Sequence, residues 1–529
     1  MSIRRLLALS AAFALLLQPI AAHAQPPATF QIAGRVVNSL TGAPVPRATV
    51  SALAEEDNRV VATATTDAEG GFSIAGLAAG KYPLTASRRG FRTAYFDEHE
   101  DSFNTAIVTG PNLDTGHLVF KLAPGAVIYG TVTSDGGDPV ENAQVVLFRR
   151  DPAAPKSNPT RAQDANTDDI GAYEFSDLPA GQYLVAVGAQ PWYAMHHHPG
   201  EAQSGDNSLD VAYPVTFFDS TTDEASASPL DVAAGERAEA DISLHAVPAL
   251  HIKLTGLRQP NDGPVAHLQQ TVFGAEFPAQ ADMEGNANGY EFVGLAPGHY
   301  ELETANPPRT TDLDASSSME IDPSSGTPMQ PIDGTVRMAD GSPPGNVMLA
   351  LARSGSVGDT VNAYAQAGQF HFAAVPPGVW TLTAGGGRSA VYVASVTAAG
   401  SPVSASQIAV RDHPLTLAVT LSRSQTRIAG FARTDGKPAP GAMIVLVPRG
   451  PAAWPVLARR DQSDSDGSFS LADVPPGRYT VVAIADGWNL DWQDRAVIAR
   501  YLRAGEPVTI DTQSGAVVPL PRPVETALP

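Results

Sequence analysis

Gly467-Ser468-Phe469-Ser470-Leu471-Ala472-Asp473-Val474-Pro475-Pro476-Gly477-Arg478-Tyr479 reads as two strands joined by a tight turn, and it occurs five times. A small residue opens each copy: Gly70, Gly171, Asn288, Gly368 and Gly467. An aromatic stands two places on, at Phe72, Tyr173, Tyr290, Phe370 and Phe469, and a second apolar residue two further, at Ile74, Phe175, Phe292, Phe372 and Leu471. Then come Leu77, Leu178, Leu295, Val375 and Val474, a glycine at 80, 181, 298, 378 and 477, and a closing aromatic at Tyr82, Tyr183, Tyr300, Trp380 and Tyr479. Within each arm the period of two puts alternate residues on one face, so the aromatics read as core residues. Pro476-Gly477 is expected to supply the turn, with proline presetting φ at one corner and glycine taking a positive φ at the next.

The five openings stand 101, 117, 80 and 99 residues apart. Those are domain-sized intervals rather than solenoid periods of about 20 to 50 residues. A chain of 529 residues is too long for one core in any case. With 47 Gly, 45 Pro and only 17% charged residues, the composition suits many short strands and turns. The net charge of −21 opposes binding to nucleic acid or an anionic membrane, since phosphate recognition needs a basic face.

Residues 1–24 read as a secretory signal, with Arg4 and Arg5, an apolar run from Leu6 to Leu17, and Ala22-His23-Ala24 before Gln25. A run of twelve residues, eleven of them apolar, is too short to span a bilayer, and no later stretch approaches the ~18 that a transmembrane helix requires. The expected location is therefore outside the cytoplasm, in a periplasm or at the cell surface. The chain has no cysteine, so each core must stand without disulfides.

Upstream of four hairpins lies an opening strand: Ile32-Ala-Gly34-Arg-Val36, Ile128-Tyr-Gly130-Thr-Val132, Ile332-Asp-Gly334-Thr-Val336 and Ile428-Ala-Gly430-Phe-Ala432. The third copy departs, because Leu250-His-Ile252-Lys-Leu254 alternates correctly but lacks the glycine. Alternating strands between turns at this density indicate sandwiches. The organisation expected is all-β, a tandem array of five Greek-key sandwiches over 25–124, 125–247, 248–329, 330–424 and 425–529. Residues 304–329, rich in Pro, Ser, Thr and Asp, read as a linker closing the third, and Gln493 to Leu502 as the best helix candidate.

The I-x-G-x-V opening and the glycine-aromatic hairpin resemble carboxypeptidase regulatory-like domains. That resemblance implies a transthyretin-like sandwich of about seven strands, related in shape to starch-binding domains. It covers nearly the whole chain after the signal, with the third copy atypical. In that family the module sits beside an enzyme domain, whereas this sequence shows the modules alone.

Catalytic signals are weak. His198-Pro-Gly-Glu201 matches H-x-x-E, but Pro-Gly places it in a turn with no third ligand or general base nearby. The His196-His197-His198 run is open to a transition metal, although adjacent histidines do not readily face one ion. No G-x-S-x-G elbow, P-loop or H-E-x-x-H occurs. Two acidic stretches, Asp464-Ser-Asp466 and Asp97-Glu98-His-Glu100, have the oxygens that calcium prefers but lack a full ligand series, so a structural ion is the only cofactor they suggest. Sugar-binding sandwiches stack aromatic rings on a pyranose; Trp192 with Tyr193, and Trp488 with Trp492 beside Asp491, are the candidate platforms. Burial or domain contact is the competing reading for each, because Trp is highly buried on average. The expected function is a secreted, non-catalytic binding protein for an extracellular glycan. The alternatives are a structural or adhesive scaffold docking a cell-surface protein, and an accessory of outer-membrane uptake.

Overall fold

Every sandwich begins by laying its opening strand against the first arm of the repeated hairpin. In the computed structural model, Ile32 faces Ile74, Ile128 faces Phe175, Ile252 faces Phe292, Ile332 faces Phe372 and Ile428 faces Leu471, all in antiparallel register. The structure describes residues 29–529 apart from 101–102, 153, 155–156, 197–206, 257–265, 287–288, 306, 354–359, 386–390, 399, 404–406, 424–425, 451–456, 493 and 512–516. The expected signal, residues 1–24, lies outside the described residues, as do His197, His198 and Glu201. Among the described residues no helix is long and apolar enough to cross a membrane.

The register slips by one residue just before the conserved Leu or Val in the first four copies. Gly76, Asp177, Gly294 and Asp473, each immediately before that Leu or Val, carry a positive φ between 54° and 80°. A bulge with a left-handed residue bends the arm and sharpens its twist. The turn glycine behaves differently from the expectation: Gly80, Gly181, Gly298 and Gly477 are not among the positive-φ residues. Gly477 instead makes room for a ring, since a Cβ there would lie 3.1 Å from the phenol of Tyr479. That ring turns back over the corner, and its hydroxyl donates to the carbonyl four residues earlier, Pro475, at 2.8 Å. Tyr82, Tyr183 and Tyr300 do the same to Ala78, Pro179 and Ala296, and Trp380 does it with its indole N–H to Pro376. This is a tyrosine corner repeated five times.

The glycine of the opening strand has its own cause. A Cβ at Gly430 would meet Cζ of Phe469 at 2.6 Å, and one at Gly334 would meet Cζ of Phe370 at 2.2 Å. In these two sandwiches the hairpin aromatic lies across the glycine, whereas a Cβ at Gly34 or Gly130 would meet the carbonyl oxygen of Leu118 or Ala240 at 2.3 Å. Sandwich three lacks the glycine because its aromatic leans the other way: Tyr290 pairs with Gly285 on the neighbouring strand, 2.7 Å from where a Cβ would stand.

The opening strand also pairs in parallel with a strand late in its own domain: Gly34 with Leu118, Tyr129 with Glu239, Ile252 with Met319, Ile332 with Leu415 and Ile428 with Val518. A second sheet packs across it, for example Val60–Thr65, Thr49–Leu53, Leu84–Arg88 and Phe91–Tyr95 in the first sandwich. Each domain encloses a separate core, and Tyr183, Trp380 and Tyr479 are nearly inaccessible within theirs. The fifth differs in closure, because its last strand, Val524–Ala527, pairs with both Arg427–Thr434 and Gly477–Ile484. Residues 304–329 are not a linker: Pro308–Ala315 pairs with Gly298–Ala305, and Met319–Ile321 supplies the parallel partner of the opening strand. The expected helix is one short turn, Arg495–Ala499.

Sandwiches one and four alternate cleanly in burial, but parts of two and five do not. Met443–Pro448 is buried at every position, as is the centre of Gln144–Arg150. Strands buried on both faces read as continuous apolar runs, and here something covers the outer face. On sandwich two it is the hairpin tip of sandwich three: Phe273 and Phe277 pack among Val146, Phe148, Leu184 and Phe217. On sandwich five it is the chain's own 487–502 segment, joined by Phe103 of sandwich one.

Candidate functional site at the junction of the first and last sandwiches

Phe103 sits in a loop some 360 residues away from the domain it touches, and the chain folds back to bring sandwich one against sandwich five. The loop between Phe91–Tyr95 and Ile107–Thr109 carries Asp97, Glu98, His99, Glu100, Phe103 and Thr105. Opposite it stand the edge strand Arg459–Gln462 and the turn that follows. Arg460 grips the Glu100 carboxylate through both guanidinium nitrogens, at 2.8 and 2.6 Å. The same guanidinium lies 4.0 Å from the ring centre of Trp492 and 4.7 Å from that of Phe103. Such a cation over aromatic faces gains more when it is desolvated, and the Arg460 side chain is only 9% exposed.

The Trp488 ring is stacked by His99 at 4.8 Å and flanked by Phe103 at 5.0 Å, while its indole N–H donates to the Gly441 carbonyl at 3.0 Å. Of the two readings open for Trp488, sugar platform or domain contact, its place is the second: it is 8% exposed and serves as an interdomain wedge. Trp492 is partly buried beside it and covered by Arg460. Asp491 accepts the N–H of Asp494 at 3.1 Å, shaping the turn that enters the short helix.

The two acidic stretches meet at this junction, though not around a shared ion. Asp464 forms an ion pair with Lys81 and accepts the N–H of Ala106 at 3.2 Å. Burial pushes its carboxyl above the usual range, and the Lys81 ammonium pulls it back. Burial also works to lower Lys81, but the Asp464 carboxylate outweighs it and holds the ammonium above its ordinary value. Asp97 accepts the Thr105 hydroxyl at 2.7 Å, and its backbone carbonyl takes the Gln462 amide at 2.7 Å. Glu98 accepts the N–H of Tyr95 at 2.5 Å, and Asp466 that of Ser468 at 2.9 Å. Each of these carboxylates therefore already has a protein donor. Among the described residues no group of three or more His, Asp or Glu is disposed to hold a metal. Beside these contacts runs a cleft of about 740 Å³, walled by Tyr95, Phe96 and Glu98 of sandwich one, Pro179 of sandwich two and Pro440 and Ser465 of sandwich five.

The other aromatic pair lies elsewhere. Trp192 is 78% exposed, with Tyr193 edge-on at 5.7 Å. Nearby, His196 and His251 each contact one oxygen of Asp210, at 2.9 and 2.8 Å, across the boundary of sandwiches two and three. Sequence reasoning missed Lys81, Arg460 and Gln462, which are ordinary surface residues by type. A signal that could have found their junction is the apolar run Met443-Ile-Val-Leu-Val447, too continuous for a strand with one wet face.

Three solved structures illustrate the likenesses of the chain. The Bacillus anthracis TIE protein is 12% identical, with 94% of this chain and 75% of that chain covered at a TM-score of 0.18. A Streptococcal ancillary pilin is 10% identical, with coverages of 56% and 98% and a TM-score of 0.20. Two B repeat units of the collagen binding protein of Staphylococcus aureus are 11% identical, with coverages of 86% and 93% and a TM-score of 0.13. Superpositions this poor carry no argument about function. No curated protein matches the chain in sequence. The carboxypeptidase regulatory-like domain matches residues 31–107 and 127–245, within the first two sandwiches. Those two segments, each with its opening strand laid against the first arm of the hairpin, are thus similar to carboxypeptidase regulatory-like domains.

Proposed function

We propose that this protein is a secreted, non-catalytic scaffold whose five sandwiches are fixed in a closed arrangement and dock a partner outside the cytoplasm. The observation that carries this reading is the junction of the first and last sandwiches. Its conspicuous aromatic, basic and acidic residues are spent on one another: Arg460 on Glu100 and Trp492, Lys81 on Asp464, Trp488 on His99 and Phe103. A flexible string of modules has no use for a partly desolvated cation–aromatic contact between its two ends. Solution X-ray scattering tests the closure. The full chain is expected to give a smaller radius of gyration than the double variant Arg460→Ala/Trp488→Ala, and equal radii would sink the reading.

Glycan binding is the second reading, and the exposed Trp192 ring beside Tyr193 favours it. Retention on insoluble polysaccharide that Trp192→Ala abolishes is the expected result. A wild-type chain that is not retained, or a variant retained equally, removes the glycan.

A further inference from the structure

Each sandwich ends its second sheet in an edge strand, and the five edges are treated differently. In sandwich three the edge Ala275–Pro278 is covered, with Phe277 buried against sandwich two. In sandwich five the edge Arg459–Gln462 is occupied by sandwich one. In sandwich two Thr160–Asn166 carries charges, and Arg161 pairs with Asp164 at 2.6 Å. Covering and charging are the usual defences against unwanted strand pairing. Sandwich one has neither: Val60-Val-Ala-Thr-Ala-Thr65 is uncharged, contains no proline, and among the described residues pairs only with Thr49–Leu53.

The open side of that edge can be assigned. Thr66 donates its N–H to the Ala48 carbonyl and accepts from Arg47, so Thr66 faces into the sheet. Antiparallel pairing alternates, which turns Ala62 and Ala64 inward and aims the N–H and C=O groups of Thr63 and Thr65 outward, while Val61 is the extra residue at which the register with Ala52 and Leu53 shifts. Val60 and Val61 are 51% and 42% exposed.

Both ends of the strand are acidic. Glu55, Glu56 and Asp57 precede it, all exposed, with Arg59 only 3.8 Å from Asp57 to offset one of them. Asp67 and Glu69, also exposed, follow it. Two copies of the edge pairing antiparallel would set one acidic end against the other, and the net charge of −21 adds to that repulsion. The edge is therefore disfavoured as a contact between copies and complementary to a strand with positive ends. We propose that Val60–Thr65 takes up, by strand addition, an extended segment of another protein, uncharged in its centre and flanked by Lys or Arg. Main-chain hydrogen bonds to Thr63 and Thr65 hold the segment, and the acidic ends select it. The edge of sandwich four, Thr360–Ala365, is also uncharged, but it has a single acid before it in the sequence, Asp359, and none in the turn after it, Gln366 to Gln369, so it lacks acid at both ends. This inference names a partner for the scaffold reading and rests on its non-catalytic part. It does not depend on the closure, so the scattering result and the result below fail separately.

The probe is a synthetic peptide of alternating Val and Thr with two Lys at each end, and its counterpart with Glu ends. Amide hydrogen exchange is followed on the full chain. The Lys-ended peptide is expected to slow exchange at Thr63 and Thr65 by on the order of tenfold or more, with the Glu-ended peptide inert and Thr360–Ala365 unaffected. Thr63→Pro removes an outward donor at a position where an edge tolerates proline, and it is expected to abolish the slowing with little change in Tm. If that variant misfolds, Glu55→Lys/Glu56→Lys answers in its place by weakening the Lys-ended peptide. No slowing with the Lys-ended peptide, or equal slowing with both, overturns the proposal. Protection of these amides without peptide, rising with protein concentration, overturns it in favour of a second copy.

Discussion

Asp461 is a carboxylate in the wrong place for its charge. It accepts the N–H groups of Ser470 and Gln462 at 2.6 and 2.9 Å, yet burial dominates and pushes its pKa up to about 7. In the unfolded chain it titrates near 3.8. Below about pH 4 both states are protonated and nothing is lost. Between about 4 and 7 the unfolded state ionises first, so stability falls as pH rises, by up to roughly 4 kcal/mol for a three-unit shift. Asp461→Asn holds the neutral form at every pH. The difference in Tm between variant and wild type is expected to widen in favour of the variant from pH 4 to 8. A constant difference would show that Asp461 is not desolvated as described.

At the scale of the element, the opening-strand glycine and the hairpin aromatic of sandwiches four and five form one packing unit. Gly430→Ala places a methyl 2.6 Å from Phe469 and 2.9 Å from Leu520, an overpacking expected to cost about 1–3 kcal/mol in thermal unfolding. Retained stability would mean that the ring can tilt away, as Tyr290 does in sandwich three. Each member of the pair was legible as a repeat, the glycine in the opening strand and the aromatic in the hairpin, but their stacking was not, because the interval between them varies from 36 to 43 residues. The turn glycine was legible only as a position. Its expected positive φ belongs instead to Gly76, Asp177, Gly294 and Asp473, and Asp and Gly at that place gave no repeated letter to notice. Residues 304–329 misled for a related reason: Thr, Ser and Asp suit a linker and an exposed strand equally, and only the pairing with Gly298–Ala305 decides between them.

Between domains, sequence said least, since contacts across hundreds of residues leave no periodic trace. Two junctions nevertheless share one physical form, an apolar sheet face covered by a neighbour. Phe273→Asp should test the first of them. Its ring packs on Phe148 and Phe217 at 5.1 and 5.2 Å. A buried charge there is expected to uncouple sandwiches two and three, lowering their joint calorimetric transition by an amount equivalent to about 3–5 kcal/mol. An unchanged transition would mean that the two domains unfold independently.

The other junction has a consequence in time. Sandwich one is complete by Leu122, but the Arg460 that holds Glu100 is made 360 residues after its partner. At about 5–20 residues per second, synthesis leaves the loop of His99 and Phe103 without its counterpart for roughly 20–70 seconds. Throughout that interval a finished domain presents a ring, an imidazole and an acidic patch to whatever is nearby. Its neighbours then include identical loops and, where synthesis is complete, identical last domains of other chains. Closure within one molecule then competes with exchange between molecules, and the order of manufacture sets how much of each occurs.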